Sequence, residues 1–123
     1  MPASVVVRPL ALACLLALPL GACVQGSANP GAGRGAELAS LVSRSIACRA
    51  GNPRASTLER FIDSERERGA TPDQIASARS AYVTISEAET INQDIRPQAC
   101  TPEERAALKE RMVRVRAGRF DAL

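Results

Sequence analysis

Residues 71–97 read TPDQIASARSAYVTISEAETINQDIRP, and this stretch decides the fold. Its first four residues form a helix start signal, with a threonine cap, a proline at the first helical position and a glutamine at the third. An apolar stripe follows at helical spacing: Ile75, Ala78, Tyr82 and Ile85. Pro97 disfavours helical geometry at the residue before it. The pattern predicts a long helix from about Pro72 to about Asp94.

Two further helices are predicted upstream. The first runs from about Ala36 to Cys48, and Gly51-Asn52-Pro53 ends it. Leu38, Leu41, Val42 and Ser45 fall on one stripe of this helix, which we expect to face the core. The second runs from Ser56 to about Arg68, because Ser56 and Glu59 have the spacing of a capping box. Its stripe comprises Leu58, Phe61 and Ile62.

A fourth helix is predicted after Cys100. Thr101-Pro102-Glu103-Glu104 repeats the threonine, proline and acid start, and the helix runs to about Arg116 or Ala117. Leu108, Met112 and Val115 form its core stripe. The chain contains no run in which apolar and polar residues alternate as in a strand. We therefore predict an all-α fold, a small bundle of about four helices.

Cysteine usage predicts one disulfide in this bundle. An even pair of cysteines in an oxidising compartment favours a bridge between Cys48 and Cys100, which would stabilise a small core. The chain has no histidine, and two cysteines do not make a zinc site. It also lacks a Cys-x-x-Cys redox motif. We expect no metal site and no cofactor.

The N-terminal stretch resembles a bacterial lipoprotein signal. Residues 10–20 are apolar apart from one proline, a run too short to span a bilayer as a helix. Leu20-Gly21-Ala22-Cys23 then looks like a lipobox. A signal peptide of the ordinary secretory type, or an uncleaved anchor, is the alternative, but Leu20 does not fit the small residue that ordinary cleavage requires.

The resemblance implies a maturation path and a location. Residues 1–22 would be a cleaved signal peptide, and Cys23 would carry acyl chains that hold the protein in the membrane. Val24 follows Cys23 in place of the aspartate that retains enterobacterial lipoproteins at the inner membrane. We expect a lipid-anchored cell-envelope protein at the outer membrane, facing the periplasm.

The residues after Cys23 divide into two parts. Four glycines and one proline between residues 24 and 36 are typical of a flexible tether. We therefore predict that the lipidated cysteine and a flexible linker occupy residues 23–36. Residues 37–123 would form one helical periplasmic domain.

The C-terminal helix carries a candidate basic binding surface made by Lys109, Arg116 and Arg119. It would suit anionic lipid, a glycan or an acidic partner. The alternative is charge favoured by the dipole of an exposed helix end. Nucleic acid is not an expected partner, because the only aromatic residues are Phe61, Tyr82 and Phe120, too few for stacking.

We expect no enzyme activity and name no catalytic residue. Without histidine, a serine or cysteine triad with a histidine base cannot form. No glycine-rich phosphate loop follows a strand. Neighbouring carboxylates such as Glu87 and Glu89, or Glu103 and Glu104, do not face each other on a helix.

Two family resemblances suggest functions for the domain. Gln98-Ala99-Cys100-Thr101 before a charged amphipathic helix, with a cysteine about fifty residues upstream, is similar to the Hde-type acid-stress periplasmic chaperones. These are small helical holdases with one disulfide. The chain departs from them in its lipobox, its few aromatic residues and its lack of histidine.

The second resemblance is to secretin pilotins, which are lipid-anchored helical domains of similar size. They bind a client helix in an apolar groove. We therefore expect a non-catalytic binding or accessory module, with a protein partner whose identity the sequence does not reveal. A holdase of the acid-stress kind, or a pilotin-like assembly factor for an outer-membrane complex, is the alternative.

The lipobox interpretation predicts that Cys23→Ser abolishes acylation, because the acceptor sulfur is lost. Metabolic labelling with radioactive palmitate should detect the wild-type chain but not this variant, whose processing should also stop. Cys14→Ser is the control, because Cys14 would leave with the signal peptide and labelling should persist. Unchanged membrane retention and mobility of Cys23→Ser would contradict the interpretation.

Overall fold

A computed structural model describes residues 29–123. The chain forms four helices: α1 (Pro30–Ala47), α2 (Thr57–Glu67), α3 (Pro72–Ile95) and α4 (Pro102–Arg116). Residues 29–123 contain no strand, and the predicted all-α bundle is confirmed. The proposed signal peptide, the Cys23 lipidation site and the linker up to residue 28 lie outside the described residues. None of the four helices is both long enough and apolar enough to cross a bilayer.

Helix α1 corrects the predicted linker. The helix begins at Pro30, not near Ala36, so the assignment of residues 30–36 to a flexible tether is wrong. Asn29 caps it, because its Oδ1 accepts hydrogen bonds from the backbone N–H of Gly31 (3.0 Å) and Ala32 (3.4 Å). Asn29 Nδ2 also donates to Ser77 Oγ of α3 (3.0 Å), which fixes this end of the helix.

The glycines of this segment are packing residues. Gly31 and Gly35 are buried, and a Cβ on either would collide with the backbone carbonyl of Gln74 or Ala78, respectively. Ala39, four residues further on, is fully buried. The small residues at positions 31, 35 and 39 let the backbone of α1 approach the backbone of α3 closely. Because both contacts advance in the same direction along the chain, α1 and α3 run parallel.

Helix starts are set by side-chain caps at α3 and α4. At α3, Thr71 Oγ1 accepts from the Gln74 N–H (3.2 Å), and Gln74 Oε1 accepts from the Thr71 N–H (2.9 Å), as the capping box predicts. At α4, Thr101 Oγ1 accepts from the Glu104 N–H (3.1 Å). The capping box predicted at α2 is wrong, because Ser56 makes no side-chain cap. Glu59 binds Arg79 of α3 instead.

The core lies around α1. Its buried members come from all four helices, the loop after α1 and the segment after α4: Leu38, Leu41, Val42, Cys48, Ala50, Phe61, Ile62, Ala78, Leu108, Met112, Val115 and Phe120. The rings of Phe61 and Phe120 meet edge to face at 5.5 Å. Ala78 is the one fully buried residue of α3, while Ile75 and Tyr82 are partly buried against the core. The long helix therefore covers the core with only part of its length.

The predicted disulfide is confirmed. Cys48 and Cys100 are bonded, with their Cα atoms 5.6 Å apart, across a sequence separation of 52 residues. In the chain-entropy model a loop of this length contributes about 4 kcal/mol. The bridge joins the end of α1 to the start of α4. Helix α4 then runs antiparallel to α1, because Arg44 meets Glu104 whereas Arg34 meets the Phe120 carbonyl.

The α1–α3 contact predicts opposite effects of two alanine substitutions in one turn of helix. Gly35→Ala should lower the free energy of unfolding by about 1–3 kcal/mol, because its methyl group overlaps the Ala78 carbonyl. Gly33→Ala should raise it by about 0.5–1 kcal/mol, because the space there is open and alanine favours helix.

Urea unfolding followed by circular dichroism measures both variants. Gly33→Ala controls for helix propensity, since both substitutions replace glycine by alanine inside α1. Equal stabilisation by the two substitutions would contradict the close approach of α1 to α3.

Candidate functional site

The three basic residues predicted on the C-terminal helix are all exposed. Lys109 and Arg116 are seven residues apart on α4 and therefore lie on the same side of the helix. Arg119 follows the end of the helix. Arg116 Nη1 also donates a hydrogen bond to the Asn52 carbonyl in the loop after α1 (2.6 Å). The predicted surface thus continues onto a second segment of the chain.

This loop lies along α4 and brings further arginines to the surface. Arg105 Nε donates to the Cys48 carbonyl (2.8 Å), and Gly51 lies over Met112. Arg60 of α2 donates to the carbonyls at the end of α4. We define the basic face as the seven exposed cations of these segments: Arg49, Arg54, Arg60, Arg105, Lys109, Arg116 and Arg119.

The basic face contains no ion pair. Within residues 29–123, six other arginines lie within 4.0 Å of a carboxylate, whereas none of these seven does. Among the described residues, these seven cations are therefore not held in direct ion pairs with carboxylates. Four of them also donate no side-chain hydrogen bond to the described part of the chain: Arg49, Arg54, Lys109 and Arg119.

The other three members of the basic face also stabilise the fold. Arg60 Nη1 and Nη2 donate to the carbonyls of Arg116 (3.0 Å) and Ala117 (3.2 Å) at the end of α4. Such terminal carbonyls have no partner within their own helix. Arg105 and Arg116 bind loop carbonyls in the same way. A guanidinium has five N–H donors, so each keeps donors for a ligand.

A second surface is the open groove between α1 and α3. Its volume is about 610 Å³. Nine residues line it, all uncharged and most of them small: Ala32, Gly33, Ala36, Ala76, Ser77, Ser80, Ala81, Thr84 and Ile85. Helical spacing continues this side of α3 from Thr84 to Ala88, Ile91 and Ile95. Ile91 and Ile95 are 57% and 69% exposed, which leaves an uncharged stripe open to a partner.

Around the disulfide, Arg44 fixes the connection between α3 and α4. Its guanidinium makes two bonds to the Glu104 carboxylate, Nε–Oε1 at 2.6 Å and Nη2–Oε2 at 2.9 Å. It also donates to the carbonyls of Gln98 (3.4 Å) and Ala99 (3.1 Å). The hydrogen bond from Arg44 lowers the pKa of Glu104, and the same bond raises the pKa of Arg44.

The sulfur atoms of Cys48 and Cys100 and a carboxylate oxygen of Glu104 lie within 4.8 Å of one another. Such a cluster could suggest a metal site. Metal ligation by cysteine requires thiolates, and these two sulfur atoms are bonded to each other. The cluster is therefore a structural bridge beside an ion pair.

Two more carboxylates are bound to arginine. Glu65 is buried, and Arg34 Nε lies 2.7 Å from its Oε1 while Arg34 Nη2 donates to the Phe120 carbonyl. Glu59 is exposed, and its hydrogen bond to Arg79 lowers its pKa. The pairing with Arg79 therefore favours the ionised form of the Glu59 carboxylate.

Comparison with known protein families, with curated proteins and with solved structures finds no match. The roles of the basic face and of the groove are therefore argued from their own geometry. Sequence reasoning found three members of the basic face and missed four. Arg49, Arg54 and Arg60 lie some fifty residues before α4, and no spacing rule connects them to it. Arg105 could have been found from the sequence, because it is four residues before Lys109 and therefore lies on the same side of α4.

The Glu104 pair predicts an acid-dependent loss of stability. Folding lowers the pKa of Glu104. The pair therefore contributes fully to the free energy of unfolding above the ordinary glutamate pKa of about 4.5, and this contribution is lost as pH falls through the lower pKa of the folded protein. Glu104→Gln should therefore be less stable than wild type at pH 7, and the difference should shrink below about pH 4.5. Thermal unfolding at several pH values measures it.

Glu103→Gln is the matched control, because Glu103 is the exposed neighbour of Glu104 in the same first turn and makes no ion pair within the described residues. Glu103→Gln should show the same change in melting temperature between pH 7 and pH 3 as the wild-type protein. Equal melting temperatures of Glu104→Gln and wild type at pH 7 would contradict the stabilising role of the Arg44 pair.

Proposed function

We propose that this chain is a lipoprotein of the cell envelope, anchored through acylated Cys23, that works as a non-catalytic binding module. Its place would be the outer membrane, on the periplasmic side. Its partner would be a helix of an envelope protein, held in the α1–α3 groove. The lipobox-like Leu20–Cys23 supports the anchor, and the lining of the groove supports the partner.

The observation that carries this proposal is the lining of the groove. Its small side chains leave room for a helix to approach closely, in the way that α1 already approaches α3. Because the lining is uncharged, the complementary surface is an uncharged helix face. The two ends of the stripe, Thr84 and Ile95, are eleven residues apart, which is about 16 Å along the helix. A partner helix of several turns matches this length.

The length of the tether supports a partner close to the membrane. Six peptide links join Cys23 to Asn29, where the capped end of α1 begins. Even fully extended, they span at most about 20 Å. An anchored Cys23 would therefore hold the groove near the bilayer surface.

Site-specific crosslinking in cells tests the groove. A photoreactive residue at Thr84 lies in the groove, whereas one at Val113 lies on the exposed side of α4. We expect one envelope protein to crosslink at Thr84 and not at Val113. Mass spectrometry should map the crosslink to one helix of that protein.

Two arginine substitutions on α3 complete this test. Ser80→Arg places a charge in the groove and should reduce crosslinking from Thr84 at least about tenfold, because a desolvated charge has no partner there. Thr90→Arg is the matched control, since Thr90 is exposed, does not line the groove and lies on another side of α3, six residues after Thr84. Equal loss with both variants would contradict the groove as the binding site. A broad set of clients appearing only after acid shock would support the holdase alternative instead.

A further inference from the structure

We propose that the basic face docks on anionic phospholipid headgroups of the membrane that holds Cys23. The inference rests on the proposed anchoring and adds the orientation of the domain on the bilayer. This face has seven exposed cations, and none of them lies within 4.0 Å of a carboxylate among residues 29–123, whereas six other arginines do.

The chemistry of the face fits phosphate. Six of its seven members are arginines, whose planar guanidinium binds phosphate oxygens with two parallel hydrogen bonds. Arg60, Arg105 and Arg116 are held in place by backbone carbonyls and keep other N–H groups available. The face therefore presents some cations that are already positioned and others that are free to adjust to headgroups.

The extent of the face fits a surface. Arg105 and Arg116 are eleven residues apart on α4, which is about 16 Å along the helix. The loop after α1 and the start of α2 widen the face on one side. A single free phosphate needs only a few converging donors, whereas this spread of charge matches an extended anionic layer.

The start of α1 and the C-terminal edge of the basic face lie at one end of the domain. Arg34, in the second turn of α1, donates to the carbonyl of Phe120, the residue after Arg119. Pro30 is four residues before Arg34, about 6 Å along the helix axis. The chain from Cys23 thus joins the domain beside the C-terminal edge of the basic face, so acyl insertion and headgroup contact can occur together.

The available side chains favour lipid over nucleic acid. Phe61 and Phe120 are buried, and Tyr82 is only partly exposed, so the described surface offers no aromatic platform for base stacking. Each basic residue close to an anionic membrane strengthens partitioning by about fivefold. Several cations acting together therefore suffice to orient a domain that is already tethered.

Vesicle sedimentation tests the inference independently of acylation. The full chain carrying Cys23→Ser, with its disulfide intact, is mixed with phosphatidylcholine vesicles that contain either no phosphatidylglycerol or about one third of it. The ratio of the two partition coefficients reports charge, because the apolar N-terminal segment is the same in both mixtures. We expect a ratio of at least about ten that falls as salt is raised.

The test variant replaces by glutamine the four cations of the basic face that donate no side-chain hydrogen bond to residues 29–123: Arg49, Arg54, Lys109 and Arg119. Its ratio should fall at least about tenfold. The matched control replaces four other exposed or partly exposed arginines by glutamine: Arg66, Arg68, Arg96 and Arg114. It has the same net charge as the test variant and should stay within about twofold of the parent. Circular dichroism verifies that both remain folded.

Four results would overturn the inference. A parent ratio near one means that the domain does not recognise anionic lipid, and equal losses in both variants mean that net charge alone acts. Preferential binding of poly-glutamate over vesicles would assign the face to an acidic protein, and displacement by inorganic phosphate at equal phosphate concentration would assign it to free phosphate. Loss of palmitate labelling and of groove crosslinking are separate measurements, so failure of the anchor or of the partner remains distinguishable.

Discussion

The rest of the structure depends on the contact between the backbones of α1 and α3. Gly31 and Gly35 place their Cα atoms against the carbonyls of Gln74 and Ala78, and any larger residue would push the helices apart. This contact makes α1 the centre of the domain, with α3 on one side and α4 on another. It also leaves small residues on both helices beside the crossing, and these line the uncharged groove. The close packing and the open uncharged groove therefore have one physical origin.

Arginine provides the second layer of organisation. A core of twelve buried residues is small, and the disulfide restrains only the junction of α1 and α4. Elsewhere, guanidinium groups of Arg34, Arg44, Arg60, Arg105 and Arg116 donate to backbone carbonyls of loops and helix ends. These bonds satisfy carbonyls that have no partner of their own. Three of these arginines, Arg60, Arg105 and Arg116, lie where the loop after α1 and the start of α2 meet α4, and they form part of the basic face.

The two proposed roles fall on different parts of one small domain. The groove between α1 and α3 is uncharged and suits a helix, whereas the basic face of α4 and its neighbouring loop suits an anionic layer. Because the chain enters the domain at the start of α1, an anchored Cys23 would keep both surfaces near a membrane. Docking of the basic face would orient the domain and limit the directions in which the groove can receive a partner.

The sequence by itself determined the four helices, the threonine caps of α3 and α4, and the disulfide. Apolar spacing and the Thr-Pro signals are local features, and the disulfide was predicted from the even pair of cysteines that follows residue 23. The start of α1 was missed, because glycine-rich composition looks the same in a tether and in a close helix crossing. Only the neighbouring helix distinguishes the two. Likewise, Ser56 was predicted to cap α2, but its side chain makes no cap hydrogen bond, and Glu59 accepts a hydrogen bond from Arg79 instead. Tertiary structure alone brought Arg49, Arg54 and Arg60 beside α4, because contacts between distant segments leave no periodic signal in the chain.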